Sequence, residues 1–223
     1  MIIAGNTFDY PYIHGKSIMA AGRSFISVSD EVFTDEGFDF APYCAADLIF
    51  GEEKTTILAS DTSRKDFQIY TPEFIQTLER IAAAGMPVFM SGSYTGTDLQ
   101  MTGDTITVAR VKKILHFRHR TDHAVRNGHF YSTDMARPAF TGSYTFNTAD
   151  SPGTYAAEAP DAIEPADKGS ITAFRYKENN TSAAIIYMGT PGTVVLGFPF
   201  ETIISPAERD ELMRQVLNFL TKK

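Results

Sequence analysis

Short apolar runs alternate along this chain with stretches of helical periodicity, the order expected of an α/β fold with a mostly parallel sheet. Residues 24–28 and 47–50 read as strands. Thr71-Pro72-Glu73 then opens a helix, with Thr71 as N-cap and Pro72 in the first helical position. Phe74, Leu78 and Ile81 share one face of it, Ile75 and Ala82 lie beside them, and Gly85 suits its C-terminal stop. Residues 87–91 form the next apolar strand, and residues 103–113 a weaker helix. From Leu115 to about Asn147 the pattern is extended and irregular, with Asn127-Gly128 as a hairpin signal. Residues 148–169, rich in Ala, Pro, Asp and Glu, have no period and read as a loop. Strands follow at 171–177, 183–188 and 193–198, with Asn179-Asn180 suited to a turn between the first two. Ser205-Pro206-Ala207-Glu208 is a capping box, and Leu212, Val216, Leu217 and Leu220 give the closing helix an apolar stripe.

The strand at 87–91 runs into Gly92-Ser93-Tyr94-Thr95-Gly96. Gly-x-nucleophile-x-Gly after a strand is the frame of a nucleophile elbow, in which a sharp strand-to-helix turn presents Ser or Cys. Here the central residue is Tyr94. Ligands of open parallel sheets bind beyond the carboxyl ends of the strands. The polar residues just after each predicted strand are therefore the candidates. They are Asp30 and Glu31, then Glu52 and Glu53, then Ser93 and Tyr94, and finally Glu201. The bland reading of Asp30 and Glu31 is a helix start, and that of Glu52 and Glu53 a solvated turn. Glu201 lies between Phe200 and Ile203, an apolar setting in which a carboxylate needs a partner.

Composition narrows the classes. The 223 residues suit one large α/β domain, and 43% hydrophobic with 21% charged residues is ordinary for a globular chain. A net charge of -7 argues against a nucleic-acid partner. Lys112, Lys113, Arg118, Arg120 and Arg126 make one basic stretch, read as a solvated face. Cys44 is the only cysteine, so neither an internal disulfide nor a zinc knuckle is available. No apolar run approaches the ~20 residues of a membrane span. The first residues lack the pattern of a signal peptide, and no glycine-rich phosphate loop indicates a cofactor. His116, His119 and His123 would share a face on a helix and could then bind zinc. On a strand they would not, and Phe117, Thr121 and the Asn127-Gly128 turn favour the strand.

Gly197-Phe198-Pro199-Phe200-Glu201-Thr202-Ile203, followed by Arg209 and a closing helix, resembles the last strand of class I glutamine amidotransferase-like domains. That resemblance implies a three-layer, flavodoxin-like α/β sheet, here with a β-rich excursion at about 115–180. It places Tyr94 at the family's Cys position, Glu201 at its His position and Ile203 at its Glu position. Amidotransferase chemistry is not expected from such a set, since Tyr has a pKa near 10 and is a poor nucleophile without a base. A second resemblance covers nearly the whole chain. Residues 4–16, 27–31, 51–56 and 196–202 are similar to a domain of large exported proteins of gut Bacteroides-type bacteria, commonly labelled xanthan-lyase-like. It implies a secreted or periplasmic setting, a polysaccharide or the other domains of a larger protein as partners, and a domain lacking one upstream strand.

Three functions are compatible with this reading. The first is a non-catalytic, degenerate amidotransferase-like module of a secreted polysaccharide- or cell-surface-related protein. The second is a glycan-active lyase or hydrolase. It would use Tyr94 as acid or base, with Glu52 or Glu201 beside it as catalytic residues and Asp30, Glu31, Glu53 and Ser93 contacting substrate. The third is a sugar- or partner-binding domain that presents loop tyrosines, of which Tyr10, Tyr12, Tyr43, Tyr144 and Tyr155 are the candidates.

Overall fold

A computed structural model describes residues 10–101, 104–149 and 153–222. The first nine residues, which carry the start of the second resemblance, lie outside the described residues, as does Gly103. The chain opens with helix α1 (Tyr10–Ala20) and the short α2 (Asp30–Thr34), followed by strand β1 (Ala46–Gly51) and a small hairpin of β2 (Thr56–Leu58) and β3 (Asp61–Asp66). Helix α3 (Pro72–Ala83) starts at Thr71, whose side chain accepts the Phe74 amide, and Gly85 follows it at φ 69°. Strand β4 (Val88–Gly92) leads into α4 (Thr95–Met101), α5 (Thr105–Leu115), β5 (Phe117–Thr121), β6 (His129–Ser132) and β7 (Ser143–Thr145). Then come β8 (Ala162–Pro165), β9 (Ser170–Tyr176), β10 (Ser182–Tyr187), β11 (Thr193–Leu196) and α6 (Pro206–Leu220). Helix α6 is capped by the Ser205 hydroxyl, which accepts the Glu208 amide at 3.4 Å. The Glu208 carboxylate turns to the Thr145 amide instead, so only one half of the expected capping box forms.

Seven strands form one sheet in the order β1-β4-β11-β10-β9-β6-β7. Only β1, β4 and β11 run parallel, and the other four pairings are antiparallel. The expectation of a mostly parallel sheet is thus corrected, and connection length explains why. A parallel pair needs a long crossover, which α3 supplies between β1 and β4, whereas short turns can only reverse the chain. Asn180, in left-handed backbone at φ 60°, makes such a turn between β9 and β10. Of the strands in the 115–180 region, β6, β7 and β9 extend the main sheet, while β5 and β8 pair as a separate two-stranded sheet.

Alternate residues divide the interior into two cores. Leu48, Phe50, Val88, Met90 and Val195 pack against α3 and α5, while Phe89, Val194 and Leu196 meet α1 and α6. These faces are largely apolar, as expected for strands buried on both sides, with Asp47 and Ser91 as polar exceptions.

Three further expectations are corrected. Residues 24–28 form no strand, and Phe25 and Ile26 are exposed. Their apolar run covers the layer beyond the β1 edge without backbone pairing. Asn127-Gly128 does not turn a hairpin, because β5 pairs with β8 and β6 pairs with β7 and β9. The 148–169 tract holds the strand β8, whose four residues end in Pro165 and are too few to show a period.

Candidate functional site

Because β1, β4 and β11 are parallel neighbours, their carboxyl ends open on the same edge. That edge collects Glu52 after β1, Ser93 and Tyr94 after β4, and Glu201 in the 3-10 turn after β11. Glu52 Oε1 accepts the Ser93 hydroxyl at 2.6 Å and the Glu158 amide at 3.3 Å, while its Oε2 is buried without a partner. Burial pushes the Glu52 carboxyl up to about 7, and those two hydrogen bonds only partly oppose it. The Glu158 and Glu201 charges add to the rise.

The turn from β4 to α4 has the shape of an elbow and lacks the elbow's strain. The described non-glycine residues with left-handed backbone are Phe67, His116, His123 and Asn180, and Tyr94 is not among them. Both glycines of the frame are set by close packing. A Cβ on Gly92 would stand 2.8 Å from Phe50 Cβ, and one on Gly96 would stand 3.1 Å from Asp161, His119 and Ile163 at once. Tyr94 is buried, and its hydroxyl accepts Lys54 Nζ at 3.3 Å while the same ammonium lies 4.6 Å from its ring centroid. Burial raises the phenol further, against the pull of Lys54. Tyr94 is thus neutral near pH 7 and unfit as a nucleophile.

The amides at the start of α4 already hold a carboxyl group. Asp161 Oδ2 accepts Gly96 N at 2.6 Å and Thr97 N at 2.8 Å, and its Oδ1 accepts the Thr97 hydroxyl at 2.6 Å. Asp161 is fully buried, and burial pushes its carboxyl up to about 7 in spite of these donors. Asp98 faces the other way, accepting the Thr55 amide at 2.5 Å and the Ile69 amide at 3.3 Å, and so ties the β2–β3 hairpin to α4.

Glu201 is fully buried in a polar chain that crosses the interior. Tyr155 donates to Glu201 Oε1 at 2.7 Å, His14 Nε2 lies 3.2 Å from Glu201 Oε2, and His14 Nδ1 lies 2.8 Å from Asp47 Oδ2. Burial alone pulls the His14 imidazole down, but Asp47 and Glu201 outweigh it and hold the ring at about 9. His14 is therefore a cation at neutral pH, donating to both carboxylates. Burial pushes the Tyr155 phenol far up, with the Glu201 charge second. One end of this chain, Asp47, borders a cavity of about 360 Å³ under residues 23–28. The other end, Tyr155, borders a cavity of about 650 Å³ beside Tyr12, Lys16 and Arg209. Glu52, Ser93, Tyr94 and Glu201 border neither of these two cavities.

The remaining candidates separate. Asp30 and Glu31 form the first turn of α2, are exposed, and follow the N-cap Ser29, so they start a helix and close no strand. Glu53 sits in the turn after β1, its amide bonded to Phe50 O at 2.9 Å. Residues 117–121 are a strand, which disperses the histidines. His116 ends α5 and meets Asp167 at 2.6 Å, His119 meets Thr97, and His123 is exposed. Among the described residues no three His, Cys, Asp or Glu side chains converge on a metal position. Arg118 and Arg120 pair with Glu164 across β5 and β8, which neutralises part of the basic stretch. Of the five tyrosines, Tyr10 and Tyr144 are buried, contrary to their expected exposure, while Tyr12 and Tyr43 are exposed.

His14, Asp47 and Asp161 escaped the sequence reading as site residues, and Tyr155 entered it only as a loop tyrosine. Asp161 carried a usable signal, a carboxylate set among Ala159, Pro160, Ala162 and Ile163. No protein-family model matches this chain, and no curated protein matches it.

Proposed function

We propose that the chain is a non-catalytic module built on an amidotransferase-like, flavodoxin-type plan, serving a larger exported protein that handles polysaccharide or the cell surface. One observation carries the non-catalytic part. The Asp161 carboxyl group occupies the Gly96 and Thr97 amides, so these donors at the start of α4 are not free for a substrate. Around it, Tyr94 is unstrained and engaged by Lys54, and Glu201 is consumed by His14 and Tyr155. The exported, polysaccharide-related setting rests on the resemblance of residues 27–31, 51–56 and 196–202.

A glycan-active lyase or hydrolase is the second reading, and Glu52 favours it. A carboxyl held near 7, hydrogen-bonded to the Ser93 hydroxyl and near enough for its charge to act on Tyr94, is a reasonable general acid. The two readings separate in one experiment. The protein is incubated with a panel of acidic and neutral polysaccharides, and reducing ends and unsaturated uronates are measured for wild type, Tyr94→Phe and Glu52→Gln. The non-catalytic reading expects no product above the blank from any of the three. Product from wild type that falls at least 100-fold in Tyr94→Phe or Glu52→Gln would establish the enzyme.

A further inference from the structure

The larger cavity, about 650 Å³, lies between α1, residues 153–155 and the first turn of α6, and the strand-end reading leaves it unused. Its volume falls well inside the range of ligand pockets, roughly 300–1,000 Å³. Three tyrosines stand on its wall. Tyr10 and Tyr155 pack on each other with 5.2 Å between ring centroids, and Tyr12 is 56% exposed.

The same wall carries two cations. Lys16 follows Tyr12 by one turn of α1, so its ammonium comes to lie over the Tyr12 ring, 5.1 Å from the centroid. Lys16 is exposed, which leaves the ammonium within reach of a molecule in the cavity. Arg209, in the first turn of α6, is half-buried and donates from Nη1 to Ile203 O at 2.5 Å. That bond fixes the guanidinium, which keeps its charge at any working pH and has further N–H groups to offer. Neither cation forms an ion pair among the described residues. This is an exception in a chain of net charge -7, in which Arg110, Arg118, Arg120 and Arg214 each meet a glutamate. Asp210 is the one carboxylate on the wall. Its Oδ1 accepts the Ser17 hydroxyl at 2.7 Å, and its Oδ2 takes no hydrogen bond from the described residues.

We infer that this cavity binds a carboxylate-bearing sugar, with the acid group on Lys16 and Arg209, the ring against Tyr12, and a ring hydroxyl donating to Asp210 Oδ2. A guanidinium and an ammonium together recognise a carboxylate by charge-assisted hydrogen bonds. An exposed aromatic ring beside an acceptor suits a hydroxylated ring, apolar on its face and polar at its edge. The sugar class rests on the polysaccharide setting proposed above, whereas the acid and the ring are read from the cavity alone.

Three probes of similar size test it: methyl β-D-glucuronide, its neutral counterpart methyl β-D-glucoside, and cyclohexanecarboxylate, which keeps the acid and the ring and lacks the hydroxyls. Binding is followed by amide shifts of the ¹⁵N-labelled wild-type protein. The glucuronide is expected to bind most tightly of the three and to shift the amides of Lys16, Thr154 and Asp210. Arg209→Gln should weaken it by about tenfold, the loss of a charge-assisted bond at a half-buried site. Lys16→Gln should weaken it by about threefold, as befits an exposed charge. Lys16 and Tyr12 are both exposed, so Lys16→Gln and Tyr12→Ala still decide should Arg209→Gln fail to fold. Equal binding of glucuronide and glucoside, or glucuronide binding that neither Lys16→Gln nor Tyr12→Ala weakens, would overturn the site. So would an absence of binding, or shifts centred elsewhere, and the non-catalytic reading, which rests on Asp161, would stand. Cyclohexanecarboxylate binding as tightly as the glucuronide would overturn the assignment to a sugar. Product from the polysaccharide panel would remove the non-catalytic reading and leave these shifts as they are.

Discussion

Replacing His14 with glutamine removes the one cation between a buried carboxylate, Glu201, and a partly buried one, Asp47. The His14 side chain is 1% exposed, that of Glu201 0% and that of Asp47 17%, so water screens little of their interaction. Breaking a buried pair by deleting one partner costs about 3–5 kcal/mol. For a chain of this size each kcal/mol moves the midpoint of thermal unfolding by about 2–4 °C. The variant should therefore melt roughly 6–20 °C below wild type at pH 6. The pH dependence is the sharper readout. The imidazole is held at about 9 in the folded protein against an ordinary value of 6.5. A folded pKa above the unfolded one gives stability that is complete below pH 6.5 and is lost as pH rises through 9. The difference of roughly 2.5 pH units corresponds to about 3 kcal/mol. Melting followed by circular dichroism from pH 6 to 9.5 should show the gap between wild type and His14→Gln narrowing with pH. A gap that stays constant across that window would refute the claim that His14 is held protonated.

Three further outcomes follow from the same geometry. Asp161→Ala strips the acceptor from two amides and a hydroxyl, each worth about 1–3 kcal/mol if left unsatisfied, and denaturant titration should show a loss of about 3 kcal/mol or more. Gly96→Ala forces a methyl against three neighbours at 3.1 Å and should lose about 1–3 kcal/mol in the same assay. Glu52→Gln removes a carboxyl whose folded value, about 7, lies above its unfolded one. Wild type therefore loses stability as pH rises from about 4.5 to 7. The variant should gain on it over that interval, and parallel melting curves would contradict this.

The elements with strong local signals were legible in the sequence. Thr71-Pro72 and Ser205-Pro206 start helices as their capping chemistry dictates, and Asn179-Asn180 turns the β9–β10 hairpin. Sheet direction was harder, because it depends on which strands become neighbours, and Val194 or Phe174 looks equally apolar in a parallel or an antiparallel pairing. The segment 24–28 has strand-like residues and no partner strand, so its propensity was overridden by its place at the edge. Glu52, Ser93, Tyr94 and Glu201 were brought to one edge because that inference needed only the three parallel strands. Their partners could not be read locally. His14 reaches Glu201 across 187 residues, and Asp161 reaches Gly96 across 65. No periodicity or motif records such contacts, although a carboxylate in an apolar run pointed to Glu201, and the same signal stood unused at Asp161.

The claim most central to this account is that an internal carboxyl group, that of Asp161, occupies the amide donors at the start of α4. Nuclear magnetic resonance of ¹⁵N-labelled protein reads it at the two amides concerned. Gly96 and Thr97 should exchange slowly and stay unmoved when sulfate or an acidic oligosaccharide is added, and both should shift in Asp161→Ala. Fast exchange at these amides in wild type, with shifts that follow added anion, would show that Asp161 does not occupy them and that the start of α4 is open to an outside anion.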